Sequence, residues 1–303
     1  MKHFFFTLAF AILFFSSCTN TSLPSATVDG SVRDYRVDAL EFGILLPTMT
    51  DTEAEMQEMD SHTGATVRSI LNADATRTSL GEKNGISWPN VWMAGDVISV
   101  NGILSDVLKS ESPYVGGDYA LFALSGPLSM PYHYAYPGTI LSNYEEGSAH
   151  ISLPLKQNWS SSTYDSSAFV MLGKGTARNL SLSSMMAAVS LSVPGNYASG
   201  KWASVRFESL GNEKVSGMFT TDFSSVSSTS SASSSLSLDA PEGGVDWGSS
   251  VIFLIPAQTY TDGVRITVYA TDDTKMTQVL PLSYSVLAGR LYPLKTDEYS
   301  PDL

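Results

Sequence analysis

Short apolar segments alternate with polar turns along most of the chain from residue 64 onward. Apolar side chains recur at every second residue in segments such as 132–136 and 151–155, which is the period of a strand with one buried face. Glycine, proline, asparagine, aspartate and serine separate these segments at short intervals. No long stretch repeats with the period of a helix. The pattern predicts an all-β protein built from β-sandwiches.

The predicted strands are rich in β-branched and aromatic residues. The first lies within residues 37–46, where charged residues give way to apolar ones. Residues 183–189 have the composition of a short helix, but strand patterns flank them, and we expect no helix there. Other predicted strands lie at residues 67–72, 97–100, 119–124, 169–172, 202–207, 218–219, 251–255, 264–269 and 280–291.

Three stretches interrupt the strand pattern. Residues 48–62 are acidic and contain methionine, which predicts either a short helix or a surface loop. Residues 224–237 are mostly serine and offer little apolar area to bury, so we expect an exposed loop. Residues 157–167 are polar and lie midway along the chain. We expect the boundary between two domains there.

The N-terminus has the layout of a secretory signal peptide. Lys2 and His3 precede an uncharged apolar run at residues 4–15, and two serines then lead to Cys18. The run is shorter than the ~20 residues that a membrane-spanning helix needs. The end of the run resembles a bacterial lipobox, in which the cysteine receives a lipid. A signal peptide with an incidental cysteine is the alternative.

These observations divide the chain into four parts. We expect a lipoprotein signal peptide at residues 1–17, a polar tether at 18–33, an N-terminal β-sandwich domain at 34–163 and a C-terminal one at 164–303. Because Cys18 is the only cysteine, no disulfide can form within the chain. One acyl chain binds a membrane only weakly, so a stable anchor needs further acylation of Cys18, for example by palmitate.

The charge of the chain limits its partners. It has 17 basic and 30 acidic side chains, with a formal net charge of −13. Such a balance disfavours binding to nucleic acid and to anionic lipid surfaces. Attachment to the cell outer membrane would therefore depend on the lipid on Cys18.

Several blocks along the chain resemble those of fimbrillin-like lipoproteins. Residues 76–80 (TRTSL), Trp88 and residues 92–100 (WMAGDVISV) are similar to one pattern of that family, and residues 136–137 (YP) and 151–157 (ISLPLKQ) to another. The C-terminal strands of the family are matched by residues 251–256 (VIFLIP), 263–269 (GVRITVY) and 287–292 (LAGRLY).

The resemblance implies a fold and a role. The fold is two transthyretin-like β-sandwich domains in tandem, and the role is that of a type V pilus subunit, at the stalk, tip or anchor, or of a surface adhesin. The implied mechanism is strand exchange. A trypsin-like protease removes the first strand, and a strand of a neighbouring subunit replaces it. Arg33, Arg36 and Arg68 flank the first apolar segment and are the candidate cleavage sites.

The expected partners follow from this role. They are other pilus subunits, the outer membrane through the lipid, and a host protein or glycan at the cell surface. The strand pattern continues through residues 287–294, and residues 295–303 contain Pro301 and three acids. Proline and charge suit a terminated sheet edge. We therefore expect an accessory, tip or anchor subunit, although residues 282–294 could themselves be a donor strand.

The sequence has no catalytic motif; a glycosidase is the third and least favoured alternative, because its paired carboxylates would come together only in the fold. The four histidines lack metal-ligand spacing, and the sequence has no nucleophile-elbow motif, so we expect no enzyme, no metal and no cofactor. Carbohydrate binding for nutrient capture is the alternative function, because exposed aromatic rings stack on sugars. Its candidate residues, for which the pattern favours packing in a core or at a sheet edge over ligand binding, are Trp88, Trp92, Tyr132, Tyr134 and Tyr136.

Overall fold

The computed structural model describes residues 40–51, 79–82, 87–195, 200–280 and 283–302. Strands account for 53% of the structure and helices for 3%, which confirms the all-β prediction. Cys18, Arg33, Arg36, Arg68 and the strand predicted at residues 67–72 lie outside the described residues.

Twenty-five strands and two short 3-10 helices form the described part of the chain. The helices are Gly138–Ile140 and Ser166–Ala168. The strands are β1 Leu40–Leu45, β2 Thr48–Asp51, β3 Ser79–Leu80, β4 Ser87–Val91, β5 Ser99–Val100, β6 Ile103–Leu104, β7 Tyr119–Leu124, β8 Tyr132–Tyr136, β9 Leu141–Glu145, β10 Ser148–Leu153, β11 Lys156–Asn158, β12 Met171–Gly175, β13 Asn179–Ser181, β14 Ser183–Ser184, β15 Met186–Ser192, β16 Trp202–Ser209, β17 Ser216–Thr221, β18 Val226–Ser233, β19 Ser235–Asp239, β20 Ser250–Pro256, β21 Thr259–Tyr260, β22 Val264–Ala270, β23 Lys275–Leu280, β24 Tyr284–Ser285 and β25 Arg290–Lys295.

These strands make six sheets. The largest has six strands in the order β20-β15-β25-β2-β4-β3, and two have five, in the orders β11-β19-β16-β22-β23 and β14-β12-β8-β5-β6. Smaller sheets have the orders β18-β17-β10-β9, β13-β1-β7 and β21-β24. Most pairs are antiparallel, but β25 is parallel to both of its neighbours, β15 and β2.

Two hydrophobic clusters share the six-stranded sheet. Along β15, Met186 and Ala188 belong to one cluster, whereas Ala187, Val189 and Leu191 belong to the other. Successive side chains of a strand point to opposite faces, so each face of this sheet contributes to a different core. Pairing also crosses residue 163, because β12 pairs with β8 and β13 with β1. The division into two domains at that position stays a prediction.

The serine-rich stretch at residues 224–237 corrects the sequence analysis. It forms β18 and the start of β19, which pair with β17 and β16, so the prediction of an exposed loop is wrong. Main-chain hydrogen bonds to neighbouring strands do not depend on side-chain type. Buried Ala232 and Leu236 add the apolar contacts that the composition obscures.

Two other stretches have strands where the sequence was ambiguous. Residues 48–51 form β2, so the helix or loop predicted for residues 48–62 is wrong at that end, and residues 52–62 lie outside the described part. Residues 183–184 form β14 and residues 186–189 belong to β15, so this stretch has no helix, as expected. The first predicted strand is confirmed as β1.

Candidate functional site

The most distinctive feature of the N-terminal half is the way in which β1 is held. It lies between β7, which is antiparallel to it, and β13, which is parallel to it. Phe42 and Ile44 are fully buried, while Glu41 and Leu45 are exposed on the opposite face. Burial of two such side chains stabilises the strand by roughly 3–6 kcal/mol. We call the surroundings of β1, formed by β7, β13 and the core beneath, the β1 seat.

The core side of the β1 seat is aromatic. The ring of Phe42 makes edge-to-face contacts with Tyr132 and Tyr134, at centroid distances of 5.2 and 5.9 Å. The hydroxyl of Tyr134 donates a hydrogen bond to the carbonyl of Ala177 at 2.7 Å, just before β13. Burial raises the pKa of Tyr134 well above its ordinary value. The tyrosine is therefore a neutral donor at any physiological pH.

Two side chains hold the main chain of the first segment. Trp92 Nε1 donates a hydrogen bond to the carbonyl of Ile44 at 3.3 Å, and Asn90 Nδ2 donates to the carbonyl of Pro47 at 2.5 Å. The buried hydroxyl of Tyr164 donates to Asn90 Oδ1 at 2.6 Å and so fixes the orientation of the amide. These contacts recognise backbone carbonyls, which every residue has.

The outer side of the β1 seat closes over Gly43. A Cβ atom at this position would lie 2.9 Å from Cζ of Tyr119, and closer still to the Tyr119 hydroxyl and to Oδ1 of Asn179. Tyr119 belongs to β7 and Asn179 to β13, so both flanking strands contribute to this contact. The ring of Tyr119 is in turn in edge contact with Tyr114, at 5.9 Å.

The Gly-Asp block found in the sequence has a structural role. Gly95 has φ of 94°, which favours glycine, and the buried carboxylate of Asp96 follows it. This carboxylate accepts hydrogen bonds from the hydroxyl of Tyr136 at 2.7 Å and from the amide of Met93 at 2.8 Å. The block therefore ties a turn to β8 beneath the β1 seat.

The structure corrects the aromatic candidates for sugar stacking. Trp92, Tyr132, Tyr134 and Tyr136 are all buried in the core. Trp88 is half-buried and packs against the same cluster. Their ring faces are covered by protein, so the proposed stacking surface is wrong for these four buried residues. Alternation in a strand shows which residues share a face, but not what covers that face.

Sequence reasoning missed the other residues of the β1 seat. Asn90, Tyr119 and Asn179 each contact a residue of the first segment that lies between 43 and 136 positions earlier in the sequence, and no local pattern indicates such contacts. Gly43 did carry a signal, because glycine inside a strand often marks a close approach of other atoms. The described residues contain no group of three or more His, Cys, Asp or Glu side chains that could hold a metal.

The C-terminal segment is bound to the fold. After β25, the buried side chain of Tyr299 packs on Trp247 at a ring-centroid distance of 4.4 Å, and its amide donates to the carbonyl of Pro194. The carboxylate of Asp302 accepts hydrogen bonds from the amide and hydroxyl of Thr277 in β23. The segment thereby covers part of the outer edge of that strand.

Comparison with known proteins gives matches only among solved structures. No family model matches the sequence, and no curated protein does. A structure of a protein assigned to cell adhesion, from Bacteroides ovatus, is 15% identical with a TM-score of 0.44, over 86% of this chain and 92% of that one. A similar protein from Bacteroides uniformis is 10% identical, with a TM-score of 0.42 over 68% and 88%.

The tip fimbrial protein Mfa3 of Porphyromonas gingivalis, with a C-terminal truncation, is 8% identical, with a TM-score of 0.36 over 87% and 97% of the two chains. The chain resembles fimbrial and cell adhesion proteins of the Bacteroidales. At such scores the likeness does not establish a function, which we infer below from the strands themselves. In the described residues, no helix is long and apolar enough to span a membrane.

Proposed function

We propose that the chain is a surface lipoprotein that acts as a fimbrial subunit in cell adhesion, and that β1 is its exchangeable strand. The observation that carries this proposal is the position of β1. It is the first strand described in the chain, and it pairs with two strands that have no other partner in their three-stranded sheet. Without β1, β7 and β13 would lose these pairings, and the aromatic core beneath would be exposed.

A replacement strand would restore the same interactions. Main-chain hydrogen bonds to β7 and β13 would supply affinity, and the pockets of Phe42 and Ile44 would accept alternate side chains. This is β-augmentation at an internal position of a sheet. Cleavage after Arg68 would release β1 and β2 in one piece, whereas cleavage after Arg33 or Arg36 would leave both in place.

The C-terminus supports an accessory, tip or anchor role. A stalk subunit has to donate a strand as well as accept one. Here β25 is internal to the six-stranded sheet, between β15 and β2, and the segment after it is fixed by Tyr299 and Asp302. If residues 282–294 were a donor strand, β25 would have to leave this sheet. Removal of β2 would free one side of β25, but its pairing with β15 would still have to break.

The remaining parts of the proposal concern location and partners. Lipid on Cys18 would anchor the precursor in the outer membrane, with the tether at residues 18–33 leading to the fold. Other pilus subunits are the proposed partners in assembly, and a host protein or glycan is the proposed target of adhesion. The carbohydrate-capture alternative has lost the exposed aromatic surface on which it depended.

Electron microscopy of cells labelled with gold-conjugated antibodies against this chain tests the proposal. We expect label on surface fibres. Mass spectrometry of protein from those fibres should find an N-terminus after Arg68. Label confined to the membrane, with every molecule intact from Cys18, would contradict both the fimbrial role and the exchange of β1.

A further inference from the structure

We propose that the outer face of the β1 seat binds a neutral oligosaccharide through the exposed ring of Tyr119. This inference rests on the proposed function, because it names the ligand class and the site by which the subunit would adhere. Tyr119 lies at the start of β7 and is 38% exposed. Among the aromatic side chains whose burial the structure describes, it is the only exposed one. It was not among the aromatic residues that the sequence pattern singled out.

Neighbouring side chains extend the surface around this ring. Tyr119 makes an edge contact with Tyr114 at a centroid distance of 5.9 Å and an interplanar angle of 80°. Leu45 is opposite Tyr119 in the pairing of β1 with β7, and it is also 38% exposed. Residues in opposite positions of an antiparallel pair share one face of the sheet. A sugar that packs its C–H groups on Tyr119 and Leu45 would remove apolar area from water on both partners.

Two polar groups lie beside the ring. The hydroxyl of Tyr119 and Oδ1 of Asn179 both reach the space over Gly43 that a Cβ atom would fill. Within the described residues, neither group makes a hydrogen bond. A phenol hydroxyl donates and accepts, and an amide side chain does both as well. A sugar hydroxyl, which also does both, would satisfy the two groups together.

A groove of about 220 Å³ continues this face along β7. Its floor includes Leu121 and Ala123, which share the face of Tyr119 because alternate side chains of a strand point the same way. Lys109 and Glu111, both exposed, also line the groove. Apolar floors with a few donors and acceptors beside them are typical of sites for small polar ligands. The groove has room for sugar units that follow the one on Tyr119.

The charge of the chain favours a neutral ligand. A formal net charge of −13 repels anionic glycans, such as sialylated or sulfated ones. The groove adds two acidic residues, Asp106 and Glu111, against the single basic Lys109. A second copy of the chain carries the same net charge and is disfavoured for the same reason. A neutral oligosaccharide meets no such repulsion.

A glycan array probed with the full mature chain tests this proposal. The array carries neutral oligosaccharides of hexoses and N-acetylhexosamines, together with their sialylated counterparts. We expect binding to a neutral oligosaccharide and weaker binding to its sialylated counterpart. Tyr119→Ala should weaken this binding at least about tenfold, because it removes the apolar surface on which the sugar packs. Tyr119→Phe and Asn179→Ala should each weaken it about two- to tenfold, because each removes one hydrogen bond.

Tyr269→Ala is the matched control, because Tyr269 is a half-buried tyrosine in β22, which belongs to another sheet. That chain should bind as the parent does. Binding of no neutral oligosaccharide, or equal binding by the parent and the three site variants, would overturn the proposal. If Tyr119→Ala does not fold, Tyr119→Phe and Asn179→Ala decide the outcome.

Other occupants of this face would also overturn the proposal. A preference for the sialylated glycans would do so, as would self-association of the chain that Tyr119→Ala abolishes. The array also separates this inference from the proposed function. A chain that is found in fibres but binds no glycan would refute the inference alone, whereas glycan binding by a chain that is absent from fibres would refute the fimbrial role alone.

Discussion

Gln157 offers the clearest test of how the sheets are joined. Its side chain is almost fully buried and lies at the end of the block that resembles a fimbrillin motif. Nε2 donates a hydrogen bond to the carbonyl of Leu254 at 2.7 Å, and Oε1 accepts one from the amide of the same residue at 3.0 Å. The side-chain amide of Gln157 thus makes the two hydrogen bonds to the edge strand β20 that the main chain of a neighbouring strand would make.

The replacement Gln157→Ala removes both hydrogen bonds. It leaves the amide and carbonyl of Leu254, a fully buried residue, without these partners. Each unsatisfied buried group costs about 1–3 kcal/mol. We therefore expect the free energy of unfolding to fall by about 3 kcal/mol, a large part of the 5–15 kcal/mol that is roughly typical of folded proteins.

Urea unfolding of the mature chain, followed by tryptophan fluorescence, measures this loss. Gln278→Ala is the matched control, because Gln278 is half-buried and its side chain accepts one hydrogen bond, from the amide of Asp297 at 3.2 Å. We expect the control to lose about 1 kcal/mol or less. A loss at Gln157 no greater than that of the control would refute the account of this bridge.

Three further predictions concern other parts of the chain. Cys18→Ala should release the protein from the outer-membrane fraction, and retention equal to that of the parent would refute lipidation. Burial, with repulsion from Lys174, lowers the pKa of His133 below 6.5, so the unfolded chain binds the proton first as the pH falls, and the free energy of unfolding should decrease below pH 6.5. The His133→Gln chain should lack this pH-dependent decrease, and a pH profile equal to that of the parent would contradict the assignment to His133. Tyr299→Ala should speed hydrogen exchange at the amide of Thr277, because the segment that covers β23 loses its anchor, and unchanged exchange would show that Asp302 holds the segment alone.

Much of the fold follows from local patterns in the sequence. The alternation of buried and more exposed residues in β7 and in β10 has the period of a strand, which predicts these strands without knowledge of their partners. The serine-rich β18 could not be predicted in this way, because its pairing with β17 depends on main-chain groups rather than on side-chain hydrophobicity. Composition alone indicated the wrong state there.

The candidate site was less accessible to sequence reasoning. Gly43 stands out within an apolar strand, but its covering residue Tyr119 lies 76 positions further along the chain and Asn179 lies beyond that. The aromatic residues of β8 were visible as a stripe on alternate positions. Phe42 packs on two of them, and only the three-dimensional arrangement shows this.

A disulfide that locks β1 to β7 would test the central claim most directly. Glu41 lies opposite Ala123, and neither residue is buried. The amide of Gly43 donates toward the β13 side, and the amide of Glu41, two residues earlier in the same strand, points the same way. The carbonyl of Ala123 accepts from the amide of Asp106. Glu41 and Ala123 therefore form a pair without mutual hydrogen bonds. Such antiparallel pairs have Cα atoms roughly 4.5 Å apart, which is within the range that a disulfide spans.

The chain with Glu41→Cys and Ala123→Cys should fold with its first strand locked in place, and each single replacement serves as a control. If β1 is exchanged during assembly, the oxidised double variant should be absent from fibres, and reduction should restore its incorporation to the level of the single variants. Incorporation of the oxidised double variant at the level of the parent chain would contradict the exchange of β1.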